Sequence, residues 1–239
     1  MPTNARYYPA MLNLEDRAVV VIGGGVIATR KVAELLASGA RVTVISPTVS
    51  PRVARWAREG RLRLRRRAYR SGDLKGSRLA VAATSDPGEQ TRIAQEAQTT
   101  LTWVNVVDQP EHCDFVAPAV VRRGDLTIAV STGGHNPALA RWLKQELAAT
   151  VGPEYGRLTA LLAAVRLALR EHGAPMTTRR RLVDQLMAAG LLERVRANDR
   201  HGILRLIRRV TGLPTFTAPT PSTRTGRSAH VSTHAAIIR

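Results

Sequence analysis

In the first half of the chain, short β-branched apolar runs alternate with longer amphipathic stretches, the pattern of βαβ units joined into a mostly parallel sheet. Residues 19–22 form the first predicted strand. They run into Gly23-Gly24-Gly25-Val26-Ile27-Ala28, after which Ala28, Val32, Leu35 and Leu36 share one helical face until Gly39 offers a left-handed stop. Residues 41–45 read as the second strand. Leu62 and Leu64 alternate with Arg61, Arg63 and Arg65, a half-buried strand with its arginines outward. Residues 79–83 are a further strand, followed by a helix that Asp86 caps, with Pro87 in the first turn where its missing N–H costs nothing. Residues 101–107 complete the series and leave Asp108 at its end.

From Phe115 the pattern changes. Residues 116–121 and 126–130 flank Arg122-Arg123-Gly124-Asp125 and predict a β-hairpin, with Pro118 tolerated only at an edge or bulge. A polar loop, Ser131-Thr132-Gly133-Gly134-His135-Asn136-Pro137, leads into a helix from 138 to about 150. Three more helices are predicted over 155–171, 179–189 and about 199–210, broken by Gly173-Ala174-Pro175 and Gly190. Residues 213–239, rich in Pro, Thr and Ser and poor in large apolar side chains, read as a disordered tail.

Composition narrows the class. With 239 residues and 44% hydrophobic content the chain can bury a sizeable core. No apolar run approaches the roughly 18 to 20 residues of a membrane span, and the first ten residues lack the apolar stretch of a signal peptide, so a cytoplasmic protein without a membrane partner is expected. Cys113 is the only cysteine, which excludes an internal disulfide and any cysteine-based zinc or iron–sulfur site within one chain. Lys+Arg number 36 against 18 Asp+Glu, a formal charge of +18 carried almost wholly by arginine. That balance favours an anionic partner, although genomic base composition accounts for it equally well. Aromatic content is 4% and no recognition helix or stacking motif accompanies the arginines, so nucleic acid is not the expected ligand.

Candidate chemistry lies at the strand ends. Gly23-x-Gly25-x-x-Ala28 between strand and helix is a dinucleotide fingerprint: Gly23 makes the tight turn, Gly25 lets backbone approach a pyrophosphate, and Ala28 allows close helix–strand packing. The acidic residue that ordinarily binds the adenosine ribose about 20 residues later is missing. Ser46 stands there, followed by Pro47 and Thr48; a serine suits NAD or NADP, and Arg30 or Arg41 are candidates to meet a 2′-phosphate. Asp108, at the carboxyl end of the last strand, is a candidate proton acceptor, with loop capping as its plainer role. Ser131-Thr132-Gly133-Gly134 before a helix offers backbone donors to carboxylates or phosphates, or is simply a loop capped by Asn136. His135 reads as a solvated loop histidine ahead of a metal ligand or proton carrier. His112 and Cys113 are adjacent and point to opposite faces of an extended segment, which favours a partly buried thiol over a metal pair.

Taken in order, Tyr8-Pro9-Ala10-Met11-Leu12-Asn13-Leu14, the glycine strand with Arg30-Lys31, Ala82-Ala83-Thr84, Asn105-Val106-Val107-Asp108, the stretch from Cys113-Asp114-Phe115 to Pro118-Ala119, and the Ser131 to Arg141 run resemble the precorrin-2 dehydrogenase / sirohydrochlorin ferrochelatase family, which includes the amino-terminal module of siroheme synthase. The likeness covers about residues 6 to 170. It implies an NAD-binding Rossmann domain over 1–114, a small α+β dimerisation region over 115–151 and a helical domain over 152–212 in an intertwined homodimer, and it leaves the basic tail 213–239 unmatched. It also implies oxidation of the tetrapyrrole precorrin-2 to sirohydrochlorin, on the route to siroheme or cobalamin, by hydride transfer to NAD⁺, followed in some members by insertion of ferrous iron.

Asp108 matches the family's essential aspartate. Val26, Ile27, Pro47 and Thr48 match NAD-contacting positions and, with Gly23, Gly25 and Thr84, make up the expected cofactor site. Thr132 matches a serine near the tetrapyrrole, and Asn105, Ser131, Gly133 and His135 join it as the expected substrate set; no metal ligand is assigned. His135-Asn136 departs from the family's usual Lys, Thr or Ser followed by Ser. Precorrin-2 carries acetate and propionate groups that an arginine-bearing cleft would orient through charge-assisted bonds. The alternative from another class is a non-catalytic NAD-sensing regulatory domain, because a Rossmann fold alone does not imply catalysis.

Overall fold

A computed structural model describes residues 7–213 and residue 216. They divide into two compact units, one within Met1–Pro118 plus Ser131–Pro137 and the other within Ala119–Val130 plus Ala138–Arg239.

The first unit is built on five parallel strands, β1 (Ala18–Ile22), β2 (Arg41–Ile45), β3 (Arg63–Arg65), β4 (Leu79–Ala82) and β5 (Trp103–Val106), in the order β3-β2-β1-β4-β5. Helices α1 (Val26–Ala37), α2 (Pro51–Arg58) and α3 (Pro87–Thr100) form the crossovers. Strand period two sorts the core: Val19 and Val21 of β1 pack with Ala28 and Val32 of α1 and Val53 and Trp56 of α2, whereas Val20 and Ile22 pack with Ile93, Ala94 and Ala97 of α3. The predicted α/β sheet is therefore present with helices on both faces. Strand order reverses direction at β1, so the crevice between the carboxyl ends of β1 and β4 is the switch point at which such sheets receive ligands.

Helix α2 is absent from the sequence reading. Its buried face is only Val53 and Trp56, one turn apart, among four arginines at 52, 55, 58 and 61 that mask the period. Ser50 nonetheless caps it, accepting from Val53 N at 3.3 Å, and Pro51 opens it. The last strand starts at Trp103 and not at 101, because Leu101 terminates α3 in the left-handed region at φ 53.

Between β3 and β4 the chain makes an irregular loop held by two carboxylates. Asp73 accepts from Arg65 Nη1 at 2.8 Å, from Arg67 Nη1 and Nη2 at 2.7 and 2.6 Å, and from Arg70 N at 2.9 Å. Glu96 on α3 accepts from Gly72 N and Leu74 N at 2.9 and 2.8 Å and from the Tyr69 hydroxyl. The Arg67 hydrogen bonds, opposed by burial and aided by Arg70 N, hold the Asp73 carboxyl below its ordinary pKa. Burial, then Glu96, push the Tyr69 hydroxyl well above its own.

The second unit begins with an antiparallel hairpin, β6 (Ala119–Arg123) and β7 (Leu126–Val130), joined by Gly124-Asp125 with Gly124 at φ +57. The strand starts after Pro118, which relieves the ladder of a residue that cannot donate. Helices α4 (Pro137–Thr150), α5 (Glu154–Glu171), α6 (Met176–Ala188), α7 (Leu191–Arg196) and α8 (Arg200–Thr211) follow. Leu158, Leu161, Val165, Leu186, Leu191, Ile203 and Ile207 form the common core of α5 to α8. The one-and-a-half-turn α7 is too short to register as a period in the sequence.

Two boundaries differ from expectation. By compactness the hairpin and α4 group with the later helices, and residues 131–137 with the first unit. The cause is local. Arg123 donates to Val151 O and Ala148 O, both at 2.8 Å, closing the carboxyl end of α4, and Gly156 of α5 lies against the hairpin turn. Leu213 and Phe216, placed in the tail by composition, are 4% exposed and fill the end of the helical core. The rest of the predicted tail, residues 214, 215 and 217–239, lies outside the described residues.

A Cβ on Gly156 would stand 2.8 Å from Arg123 O and 2.9 Å from its carbonyl carbon. Gly→Ala inside a helix ordinarily gains about 1 kcal/mol, but forced overpacking against backbone costs about 1–3 kcal/mol. Gly156→Ala is therefore expected to lower Tm by about 2–4 °C in thermal unfolding, and a rise would show that the hairpin does not pack there. A second expectation concerns pH. With its folded pKa depressed, Asp73 stabilises the fold above the ordinary carboxylate pKa of about 4 and loses that contribution as pH falls through the lower folded value. Asp73→Asn should lower Tm at pH 7, the gap to the parent should narrow by pH 3, and a gap independent of pH would contradict the arginine clamp.

Candidate functional site

Every residue expected at the site lies in the first unit, and most gather at the carboxyl edge of its sheet. In-register pairing sets Ile22 beside Ala82 and Ala82 beside Val106, so the segments leaving β1, β4 and β5 start side by side. Gly23 leaves β1 at φ +114, and a Cβ there would meet Ala83 O at 2.3 Å. A Cβ on Gly24 would meet Thr48 O at 2.0 Å. Both glycines are demanded by backbone pressed on backbone. Gly25 differs: its Cβ would meet nothing within 4 Å. Packing within the protein does not require glycine at this position, and the open space is a cradle that a Cβ would partly fill.

Gly25 is the N-cap of α1, where no side chain caps the helix and no acidic residue stands in the first turn. The α1 amino end thus presents backbone N–H groups and a partial positive charge with no side-chain cap among the described residues, conditions that suit a pyrophosphate. Val26 is 86% exposed and Ile27 is also exposed, beside that opening. Thr29 Oγ1 donates to Gly25 O at 2.8 Å and lies 2.7 Å from Ser50 Oγ, which ties the turn to the start of α2. Pro47 and Thr48 are exposed on the next loop, and Ser50 N donates to Gly24 O at 3.0 Å. The site residues therefore fit a dinucleotide.

Ser46 and Arg41 do not take the places suggested for them. The Ser46 hydroxyl is buried and donates to Thr48 O at 2.6 Å, fastening its own loop. Arg41 opens β2, at the opposite end of the strand from Ser46, and its Nε donates to Asp16 O at 3.0 Å. Arg65 pairs with Ile45 and so is next to the end of β2, but Asp73 holds its guanidinium.

Asp108 is exposed, two residues beyond β5, with φ +62, a left-handed backbone that aspartate tolerates better than most side chains. Among the described residues none donates to its carboxylate. Asn105 is half-buried within β5 and donates to Phe115 O at 3.0 Å and toward Cys113 Sγ at 3.5 Å. Cys113 is also half-buried, its sulfur accepting from Val106 N and lying against Val106 O and Gln109 O at 3.2 and 3.3 Å. Burial pushes the thiol pKa up. Asp114 N donates to Val104 O at 2.9 Å and its Oδ2 accepts from Val104 N at 2.8 Å, so the segment after Asp108 doubles back and covers the sheet edge.

The Ser131 loop is tightly wound. Ser131 Oγ accepts from Gly133 N at 3.2 Å, Thr132 Oγ1 accepts from Asn136 N at 3.1 Å, and Thr132 O lies 3.0 Å from His135 Nδ1. Gly133 and Gly134 take φ +64 and +86. Among the described residues no group of three or more His, Cys, Asp or Glu is arranged to hold a metal ion, and no helix is long and apolar enough to cross a membrane.

One buried polar residue at this edge escaped the sequence reading. Gln90 of α3 is 7% exposed, and its amide nitrogen donates to Thr84 O at 2.8 Å and Val107 O at 3.3 Å. A glutamine at a helical position gives no signal of such a role in one sequence.

Comparison with known proteins agrees with this geometry. A putative NAD(P)-binding family model matches residues 10–119, and a model of the central region of the sirohaem biosynthesis protein matches residues 123–150. The chain is 42% identical over 163 residues to siroheme synthase of Methylobacillus flagellatus, covering 68% of this chain and 35% of the relative. It is 36% identical over 227 residues to siroheme synthase of Xylella fastidiosa, covering 95% and 46%. The chain thus spans less than half the length of these curated relatives. The solved structure of SirC, a precorrin-2 dehydrogenase, superposes with a TM-score of 0.71 at 28% identity, covering 85% of this chain and all of that one.

The two outer glycines separate folding from binding. Gly25→Ala is expected to keep Tm within about 4 °C while weakening dinucleotide binding at least about tenfold in a calorimetric titration. Gly23→Ala, strained and clashing, should instead lower Tm or prevent folding. Unchanged affinity in Gly25→Ala would remove the pyrophosphate from that opening.

Proposed function

The chain belongs to the family of precorrin-2 dehydrogenases and siroheme synthases, and on that premise we propose that it oxidises precorrin-2 to sirohydrochlorin in the cytoplasm, with NAD⁺ as hydride acceptor. The observation that carries the reading is the convergence at one sheet edge of an uncapped helix amino end with open space at Gly25 and, two strands away, an exposed carboxylate at Asp108.

Precorrin-2 loses a hydride and a proton in this oxidation. The bound oxidised nicotinamide supplies the acceptor for the hydride. Asp108 takes the proton, a role open to a carboxylate that no group among the described residues engages. Gly25, Val26 and Ile27 hold the pyrophosphate through backbone N–H groups, with Gly23 shaping the turn and Pro47, Thr48 and Thr84 bordering the cofactor. Thr132, Gly133 and His135 meet the substrate's carboxylates, with Ser131 bracing the turn at Gly133 N, and Asn105 on β5 belongs to the same substrate set while its amide holds Phe115 O.

NAD is favoured over NADP by Asp73. The guanidinium beside the end of β2 that would recognise a 2′-phosphate is already engaged by that carboxylate. The working form is a homodimer: Trp142 on α4 is 54% exposed, and Val120, Ile128 and Val130 of the hairpin are only half-buried, apolar surface that a second copy would cover.

Purified protein mixed with precorrin-2 and NAD⁺ should generate reduced-nicotinamide absorbance together with the sirohydrochlorin spectrum, with NADP⁺ the poorer substrate. Asp108→Ala should lower kcat by about a hundredfold or more and leave the dinucleotide Kd within about twofold. Cofactor binding without turnover in the parent would instead favour a sensing domain.

A further inference from the structure

We propose that Gln90 is a positioning residue for the reaction, a single side-chain amide that sets the direction of Asp108 relative to the loop bordering the cofactor. The inference rests on the reading of Asp108 as the proton acceptor.

Gln90 lies in the first turns of α3, its side chain buried at the sheet's carboxyl edge. Two carbonyls converge on it, Thr84 O at 2.8 Å and Val107 O at 3.3 Å. Carbonyl oxygens only accept, so the –NH2 of the amide faces them and spends both its hydrogens there. Thr84 leaves the sheet after β4 and Val107 after β5, each still anchored by its predecessor or its own N–H: Ala83 N donates to Ile22 O at 2.7 Å and Val107 N to Ala82 O at 2.9 Å.

The geometry matters because the Val107 carbonyl belongs to the peptide from which Asp108 hangs. Its oxygen, once held, fixes the plane of that peptide, and that plane together with the φ of Asp108 sets the direction of the next Cα–Cβ bond. Asp108 adopts φ +62, a left-handed conformation that few side chains other than asparagine and aspartate take up readily. The carboxylate itself is held by none of the described residues. The backbone beneath it is therefore what aims it, and Gln90 is the side chain that grips this backbone. By holding Thr84 O with the same nitrogen, it also fixes the distance between the carboxylate's loop and the loop on the cofactor side.

Gln90→Met keeps length and removes the donors. Gln90→Glu keeps shape and turns a carboxylate toward the same two carbonyls. The order expected for kcat, per dinucleotide-binding site, is parent, then Met about tenfold lower, then Glu lower still, with the dinucleotide Kd and the tetrapyrrole KM within about twofold. A merely structural glutamine would lower Tm and the yield of binding sites and leave kcat per site unchanged. In the Asp108→Ala background, Gln90→Met should alter the residual rate less than about twofold, because its effect passes through that carboxylate.

Normal kcat per site in both Gln90 variants, or a tenfold loss repeated in the Asp108→Ala background, overturns the proposal. If Gln90→Met does not fold, Gln90→Glu alone decides on the same readings. A normal kcat in Asp108→Ala overturns the reading of Asp108, and this one with it; a lost kcat there beside normal Gln90 variants overturns only the role of Gln90.

Discussion

The contact on which this molecule turns is backbone against backbone at the top of two adjacent strands. Gly23 leaves β1 so close to Ala83 that a single added carbon would stand 2.3 Å from its carbonyl oxygen. That approach brings the loops after β1 and β4 together, sets Gly24 against Thr48, and starts α1 with no side chain capping its amino end. The chemistry proposed here follows from it. A helix end with unmet N–H groups attracts an anion, and a strand two places along delivers a carboxylate to the same edge.

Much of this was legible in the residues, and the reason is periodicity. Strands β1 and β2 are β-branched runs long enough to show their character, and the start of α3 at Asp86 and Pro87 follows directly from side-chain chemistry. The glycine fingerprint was readable, but not the division of labour within it: only coordinates distinguish glycines forced by neighbouring backbone from one left open. Helix α2 hid behind its arginines, and α7 was too brief to leave a pattern. Leu213 and Phe216 looked like tail because composition averages over a window, whereas burial is decided residue by residue. The resemblance supplied the role of Asp108, which its sequence neighbourhood alone leaves open between base and cap.

Polar residues proved hardest to read. Gln90 and Glu96 do their work through backbone groups far from them in sequence, and nothing in their immediate neighbourhoods announces the partner. The arginine excess is similarly ambiguous until the ion pairs are seen. Arg65 and Arg67 are spent on Asp73, and Arg123 on closing a helix, so net charge alone says little about which guanidinium groups remain to greet a ligand.

The path of the chain between its two units has a consequence for biosynthesis. The polypeptide leaves the first unit after Pro118, builds the hairpin of the second, returns for Ser131–Pro137, and departs again. A ribosome must therefore have released the hairpin before the first unit receives its final segment, and no single cut in the chain separates the two intact. Nascent β1 to β5 can assemble early as a sheet, but residues 131–137 arrive only once the neighbouring unit has begun to form.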